Sequence, residues 1–514
     1  MSFNKSSRSV NASKNAISAI LNKFCILCLT FISRKFFIDI IGVEYLGIHG
    51  LFANILTLLS MADLGLGSAM NVSLYKPIAN NDSKKTAALL NYYKKVYYYI
   101  ALVIAIIGLS LTPFLHHIIT LETPIPYIHL YYIVFLSNTV ISYLFVYKSS
   151  IIKADQKNYL VNRVDVVMNI VRVVLKIISI LTLGSFLVYI LLDVVGTLFH
   201  NLVVSHIANK QYPFINAKEP LSVEDRKAVF SNISSIFIYK IATSFLNGTE
   251  NIIISMFVGT VYVGFYSNYY TITHNIIIFV ALLFNALTPS IGNLIATSGA
   301  KKNYAVFKTM QMLSFWMSGF FSIGLLLLTQ DFIQLWIGQK YQLDNITLLA
   351  IVLNTFFSIC MRPIWAFREG TGMYRQIKYI MLFTAVLNLV LSILGAKNFG
   401  LSGIIFASVI SKFSTYFWYE PNILFKSFFN KKVFSYYLDY FFNFLLMLFV
   451  TWIIYLILKN IESVSVLTWV VKLLIVTLIV NAIYFLRYFK TDEYKVFQDK
   501  LKSIVNVKKS KMVK

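Results

Sequence analysis

Charge is what this chain has least of. Only 13% of its 514 residues are charged and 58% are apolar, whereas a soluble domain of this size carries about 25% charged residues. The deficit excludes a soluble enzyme, and the apolar majority excludes a disordered or fibrous chain. Acidic residues are scarcer still, with 21 Asp and Glu against 46 Lys and Arg, a net charge of +25. Three cysteines cannot make a disulfide framework. Cys25 and Cys28 form a Cys-x-x-Cys inside an apolar segment with no second pair, short of the roughly four ligands of a zinc site. No Gly-x-x-x-x-Gly-Lys-Ser/Thr, His-Glu-x-x-His or Gly-x-Ser-x-Gly pattern occurs, which excludes P-loop ATP hydrolysis. No cofactor or metal is expected.

What the sequence has instead is long apolar runs. A helix crossing the roughly 30 Å hydrocarbon core needs about 20 mostly apolar residues. Fourteen such runs lie near 16–41, 47–72, 92–115, 127–147, 164–183, 185–208, 229–257, 264–296, 304–329, 345–367, 377–395, 400–420, 434–458 and 464–486. The first follows a polar tail and has no small-residue cleavage site, so it is expected to stay in the membrane rather than be removed. With the N-terminus inside, 34 of the 46 basic residues fall on the cytoplasmic side and three (Lys340, Lys397, Lys459) outside, the other nine lying within or against the helices. That asymmetry is the positive-inside pattern. It predicts fourteen crossings with both termini cytoplasmic. It also accounts for the basic excess without nucleic acid, the Arg487–Lys514 tail being its extreme case.

The chain repeats itself. A shift of 217 residues lays Gly42, Tyr45 and Gly47 on Gly259, Tyr262 and Gly264, Lys84-Lys85 on Lys301-Lys302, and Leu111-Thr112 on Leu328-Thr329. Six crossings per copy is an even number, so both copies enter the membrane in the same direction. They are expected to be related by an axis along the membrane normal, an arrangement typical of transporters. The expected organisation is a six-helix bundle over 1–208, a linker at 209–228 with Pro213 and Pro220, and a second bundle over 229–420. Two further helices over 421–486 and a basic tail over 487–514 complete it.

Charges inside the crossings are the candidate functional groups, because a charge at mid-membrane costs at least about 2.5–3.5 kcal/mol and usually faces a wet cavity or a partner. Asp165, Asn169, Arg172 and Lys176 share one helical face of the fifth crossing. Ser60, Asp63, Gly67 and Asn71 do so in the second. Asp193, Thr197 and His200 mark the sixth, and Lys240, Thr243, Asn247 and Glu250 the seventh. Asn354, Ser358 and Arg362 mark the tenth; Arg34 lies deep in the first and His274 in the eighth. Simpler readings stand beside these. Asp165 and Lys240 can be solvated at the cytoplasmic surface, and Lys23, Lys35 and Lys472 can reach an interface through their stems. Arg172 and Lys176 can be neutralised by Asp165 or Asp193, and a lone His such as His274 can simply be hydrogen-bonded to a neighbour. Guanidinium and ammonium groups around a cavity favour an anion, a phosphate or pyrophosphate on a lipid-linked head group. Asp63, Glu250 and Asp193 can hold those cations or bind a coupling ion.

Residues 33–82, SRKFFIDIIGVEYLGIHGLFANILTLLSMADLGLGSAMNVSLYKPIANND, resemble the opening of Wzx-type polysaccharide repeat-unit flippases, in the polysaccharide branch of the multidrug/oligosaccharidyl-lipid/polysaccharide exporter superfamily. The most specific parts are Ala62-Asp63-Leu64-Gly65-x-Gly67-Ser68 and Tyr75-Lys76-Pro77. TENIIIS (249–255) and the stretch Arg362-Pro363 to Gly370-x-Gly372-x-Tyr374 resemble the family's second half, so the likeness spans the chain. It implies an all-α polytopic fold of MATE-like type, with two six-helix bundles and two C-terminal helices in a bacterial cytoplasmic membrane. The implied cargo is an oligosaccharide on undecaprenyl pyrophosphate, moved from the cytoplasmic to the outer leaflet for surface polysaccharide. Glycosyltransferases and a polymerase of the same pathway are its implied partners, alongside membrane lipids. By position, pyrophosphate binding passes to Arg34, and also to Arg172, Lys176 and Arg362. Helices 13 and 14 are expected to offer a groove for the prenyl tail.

Two other readings remain open at this level. One is a cation-coupled multidrug exporter of the same fold, whose cavity would favour acids and aromatics. The other is a membrane glycan polymerase or ligase, which typically needs a large outer loop; the outer loops here are short.

Overall fold

The computed structural model describes residues 27–499 except 61–65, 122–123, 218, 224, 227–233, 286–290, 292–294, 296–297 and 462–463. The described residues form helices joined by turns and short irregular stretches, with no strand. Apolar chain in a bilayer has no water to satisfy its N–H and C=O groups, so it bonds them within each helix. Nine described helices are long and apolar enough to cross a membrane, ten if the bent pair Asn345–Cys360 and Arg362–Thr371 is one span. The protein is therefore a multi-pass membrane protein.

Packing divides the chain into two units, Met1–Ser267 and Asn268–Lys514. The first holds α1 (27–40), α2 (Val43–Leu59), α3 (Leu66–Ala79), α4 (Ser83–Leu111), α5 (Ile128–Ala154), α6 (Asn158–Leu183) and α7 (Phe186–Gln211). It also holds α8 (Ser234–Gly248), α9 (Glu250–Phe257) and the start of α10 (Thr260–Asn285), within which the boundary falls. α8 and α9 belong here because both pack on α2, and because Ser255 Oγ donates to the Ile118 carbonyl at 2.8 Å. α5 is the hub, packed against α2, α3, α4 and α7. α6 and α7 run antiparallel, joined through a left-handed Gly184.

The duplicated motif leaves a geometric signature in this unit. Gly42 and Gly259, 217 residues apart, both have positive φ (109° and 131°) and both sit just before a helix. A Cβ on Gly47 would strike the Thr260 carbonyl, and one on Gly264 would strike the Val43 carbonyl. Val43 and Thr260 are themselves 217 apart. Each copy thus presses the same carbonyl onto the same glycine of the other, the reciprocity of a two-fold contact.

The second unit is built on α11 (Ala300–Trp336), 37 residues long, or roughly 55 Å at the helical rise. α12 (Asn345–Cys360) and α13 (Arg362–Thr371) bend by 43° at Met361, ahead of Pro363. The run α14 (Tyr374–Ser414) is assigned as one helix, yet Gly400 has φ 60° and ψ −136° and turns it back on itself. Gly395 and Gly403 then meet backbone to backbone. Thr384 bonds Thr415 at 2.6 Å, and Asn388 reaches Ser408 at 3.2 Å, pairings only antiparallel arms allow. The eleventh and twelfth expected crossings are these arms. α15 (Tyr416–Leu424) follows.

α16 (Phe434–Leu458) and α17 (Val466–Tyr488), the two helices outside the repeat, are fastened to α11 by polar bonds. Lys308 meets Asp439 at 2.5 Å and Lys472 meets Asp331 at 2.7 Å. Asn443 donates to Ser318 Oγ, accepts from Tyr484 Oη, and Trp316 Nε1 donates to Asn481. Lys472 therefore does not reach an interface; it is buried in an ion pair. A buried Arg368–Glu420 pair at 3.1 Å joins α13 to α15.

Candidate functional site

A cavity of about 610 Å³ lies inside the N-terminal unit, walled by α1, α2, α5, α6 and α7. Arg34 enters it from α1, Arg172 and Lys176 from α6, and Asp193 from α7. The stripe read from the fifth crossing is what brings the two α6 cations together. Asn169, Arg172 and Lys176 lie at i, i+3 and i+7 and all three face the cavity. Asp165, the fourth member of that stripe, turns instead to His200 of α7, Oδ1 to Nε2 at 2.7 Å.

Each cation is held differently. The Lys176 ammonium meets Asp193 Oδ2 at 2.5 Å and lies 4.0 Å from the centre of the Tyr189 ring, so it is buried, neutralised and seated on a π face. Arg34 donates from Nη1 to the Ser267 carbonyl at 3.0 Å and from Nη2 to Ser267 Oγ at 2.9 Å. Arg172 crosses α7 at Gly196, where a Cβ would stand 2.5 Å from its Nε; that buried Nε has no hydrogen-bond partner among the described residues. Among the described residues, three cations thus share a space with one carboxylate. Surplus positive charge in a low-dielectric pocket is a strong attractor for an anion.

The wall also contains groups that charge counting overlooks. His49 of α2 stands edge-on to Phe135 at 5.1 Å and faces Tyr189 at 6.4 Å. Asn138 and Thr139 of α5, and Thr30 and Ser33 of α1, add amide and hydroxyl groups. The signal for His49 was available in the sequence: His49, Ala53, Thr57 and Ser60 form a stripe of small or polar residues on one face of α2.

The other expected site residues lie elsewhere. Asp63 is outside the described residues. Glu250 begins α9 and accepts from Tyr266 Oη at 2.8 Å, and it is not in the cavity lining. His274 and Arg362 belong to the second unit. His274 is exposed and stacks on Tyr270 at 5.0 Å, while the Arg362 guanidinium lies 5.1 Å from the centre of the Trp365 ring. Cys28 is a free, exposed thiol, and no group of three or more metal-ligating side chains occurs among the described residues.

The family model described as polysaccharide biosynthesis protein matches residues 12–295, more than half the chain. The chain belongs to that family. Among solved structures, its polysaccharide biosynthesis fold is similar to the lipid II flippase MurJ in an inward closed conformation. That match has a TM-score of 0.67 and 12% identity, covering 92% of this chain and 98% of MurJ. An inward-facing multidrug resistance MATE family transporter of the MOP superfamily matches with a TM-score of 0.61 and 14% identity, over 78% of this chain and 97% of its own. A mutant of the Vibrio cholerae MATE transporter VcmN matches with a TM-score of 0.56 and 14% identity, over 83% and 100%. No curated protein sequence matches. This family member has the fold of MOP-superfamily transporters and flippases.

Proposed function

We propose that the chain flips an oligosaccharide linked to undecaprenyl pyrophosphate from the cytoplasmic to the outer leaflet of a bacterial cytoplasmic membrane, for surface polysaccharide synthesis. The observation that carries this reading is the convergence of Arg34, Arg172 and Lys176 on one cavity whose lining, among the described residues, has a single carboxylate, Asp193. Guanidinium groups grip phosphate oxygens through paired, charge-assisted hydrogen bonds. Arg172 Nε is a buried donor with no acceptor among the described residues, and a pyrophosphate oxygen would satisfy it. The sugars would follow into the polar cavity while the prenyl chain stays in the bilayer. Six-helix units would alternate between inward and outward openings. The ligand shifts that equilibrium only through unequal affinity for the two states.

The same fold serves multidrug transporters, but three cations around a cavity oppose a cationic drug. The deciding assay labels the lipid-linked sugar on one leaflet of proteoliposomes. Wild-type protein should expose it on the far leaflet, and Arg172→Ala protein of equal abundance should not. Drug efflux with no movement of the lipid-linked sugar would select the multidrug reading instead. Arg34→Ala is expected to behave like Arg172→Ala.

A further inference from the structure

A second cavity, of about 700 Å³, opens in the same unit and shares no lining residue with the first. It lies where three turns converge: 80–82 between α3 and α4, 155–157 between α5 and α6, and 212–214 after α7. The distribution of Lys and Arg assigns these turns to the cytoplasmic side. Tyr75 and Pro77, from the motif Tyr75-Lys76-Pro77, form part of its wall, a role the first cavity leaves open.

Its chemistry is unlike that of the cation-lined site. Tyr75 presents a ring that is half exposed, and Tyr212 packs edge-on to Phe214 at 6.2 Å. Two side-chain amides, Asn81 and Gln156, stand at the rim on left-handed backbone (φ 55° and 58°), exposed and with no hydrogen-bond partner among the described residues. Asp82 and Asp155 each use one oxygen internally. Asp82 Oδ1 accepts from the Lys85 N–H, and Asp155 Oδ2 from Tyr212 Oη at 2.6 Å and from the Lys157 ammonium at 2.7 Å. The second oxygen of each is left as an acceptor. Burial, with the bond to Asp155, holds the Tyr212 phenol well above its ordinary value, so it stays a donor.

We infer that this cavity binds sugar: a neutral polyhydroxyl ligand, with a pyranose ring face on the aromatic wall and its hydroxyls on the amides and carboxylates. Two carboxylates against one lysine, already paired, repel an anion, so a phosphate is disfavoured. A bound metal would need a cluster of ligands that the described residues do not form. An organic cation would find Asp155 already paired with Lys157 and only Asp82 left to meet it, with one Asp82 oxygen taken by the Lys85 N–H. What remains is a set of planar groups that each donate or accept in pairs beside flat apolar rings, which suits adjacent hydroxyls on a ring with apolar C–H faces. The identity of that sugar as the cargo's head group rests on the function proposed above; the binding itself does not.

The test uses full-length protein in nanodiscs, because maltoside or glucoside detergents would themselves compete. Saturation-transfer NMR is run with a panel of free hexoses, N-acetylhexosamines, deoxyhexoses and short oligosaccharides, with tetramethylammonium and inorganic pyrophosphate alongside. At least one sugar should receive saturation. Asn81→Gly with Gln156→Gly removes both amides while keeping backbone that tolerates positive φ, and should weaken binding roughly ten-fold or more, as the loss of two net-favourable hydrogen bonds requires. Tyr75→Ala should weaken it too, and Arg172→Ala should leave it unchanged. Absence of sugar binding, sugar binding lost in Arg172→Ala but kept in the amide variant, or binding of tetramethylammonium alone would each overturn the inference. Because Arg172→Ala is the variant that stops flipping, failure of that reading and failure of this one give different patterns.

Discussion

Among the described residues, Lys176 and Asp193 form the one ion pair in the wall of the first cavity, and Asp193 offsets one of its three positive charges. Asp193→Asn keeps the volume and removes the charge. A unit charge about 4 Å away is worth about 1–4 kcal/mol between bulk water and a protein-like dielectric. Calorimetry should therefore show inorganic pyrophosphate binding Asp193→Asn at least about five-fold more tightly than wild type, and Lys176→Met more weakly. Gly196 sets the position of Arg172 by letting its guanidinium lie across α7. Gly196→Ala should lower pyrophosphate affinity with little change in abundance, whereas Ala at the neighbouring exposed Val195 should not. Four of the cavity residues were legible because a charge in an apolar run has few uses. Tyr189, Asn138 and Thr139 were not, because one neutral polar or aromatic group among apolar neighbours reads like packing. Glu250, His274 and Arg362 stand out in the sequence as strongly as Arg34 does. Periodicity shows which face of a helix a residue occupies, and packing decides what that face meets.

Among the helices, α11 is bound to α16 and α17 through Lys308–Asp439 and Lys472–Asp331. Lys472 is buried, so removing its partner strands a charge. Asp331→Asn should destabilise the protein by about 3 kcal/mol, and the double variant Asp331→Leu with Lys472→Met should recover most of it. Thermal unfolding in lipid checks both. A double variant no more stable than Asp331→Asn would mean that the pair itself, and not the stranded charge, carries the stability. The apolar runs were readable because length and composition define them. The reversal at Gly400 was placed by the gap between two runs, but its tightness was not. It depends on Gly395 and Gly403 allowing two backbones to touch, and sequence spacing does not encode that.

At the level of the whole molecule, the 217-residue repeat is written in backbone as well as in sequence. Gly42 and Gly259 share an unusual conformation, and Gly47 and Gly264 share a reciprocal contact. Ala at either member of the second pair meets a carbonyl that helix geometry cannot move. Gly47→Ala and Gly264→Ala should lower the melting temperature by similar amounts, although they lie in different copies. A large effect at one and none at the other would mean the reciprocity has no energetic counterpart. The repeat was legible because its glycines are sterically irreplaceable; the division at Ser267 was not, because helices of the second copy fold onto α2 of the first.

The surplus of two positive charges that the described residues place in the first cavity has an electrical consequence. A pyrophosphate diester carries about two negative charges, so the loaded carrier would cross nearly uncharged and feel little voltage. The empty carrier would travel back with its charge bare, and an inside-negative potential would pull it home by up to about 2.3 kcal/mol per charge for every ~100 mV. Turnover in proteoliposomes should then rise with a potassium diffusion potential, negative on the loading side, even when cargo is saturating. In Lys176→Met, which removes one of the two surplus charges, the voltage response should be shallower.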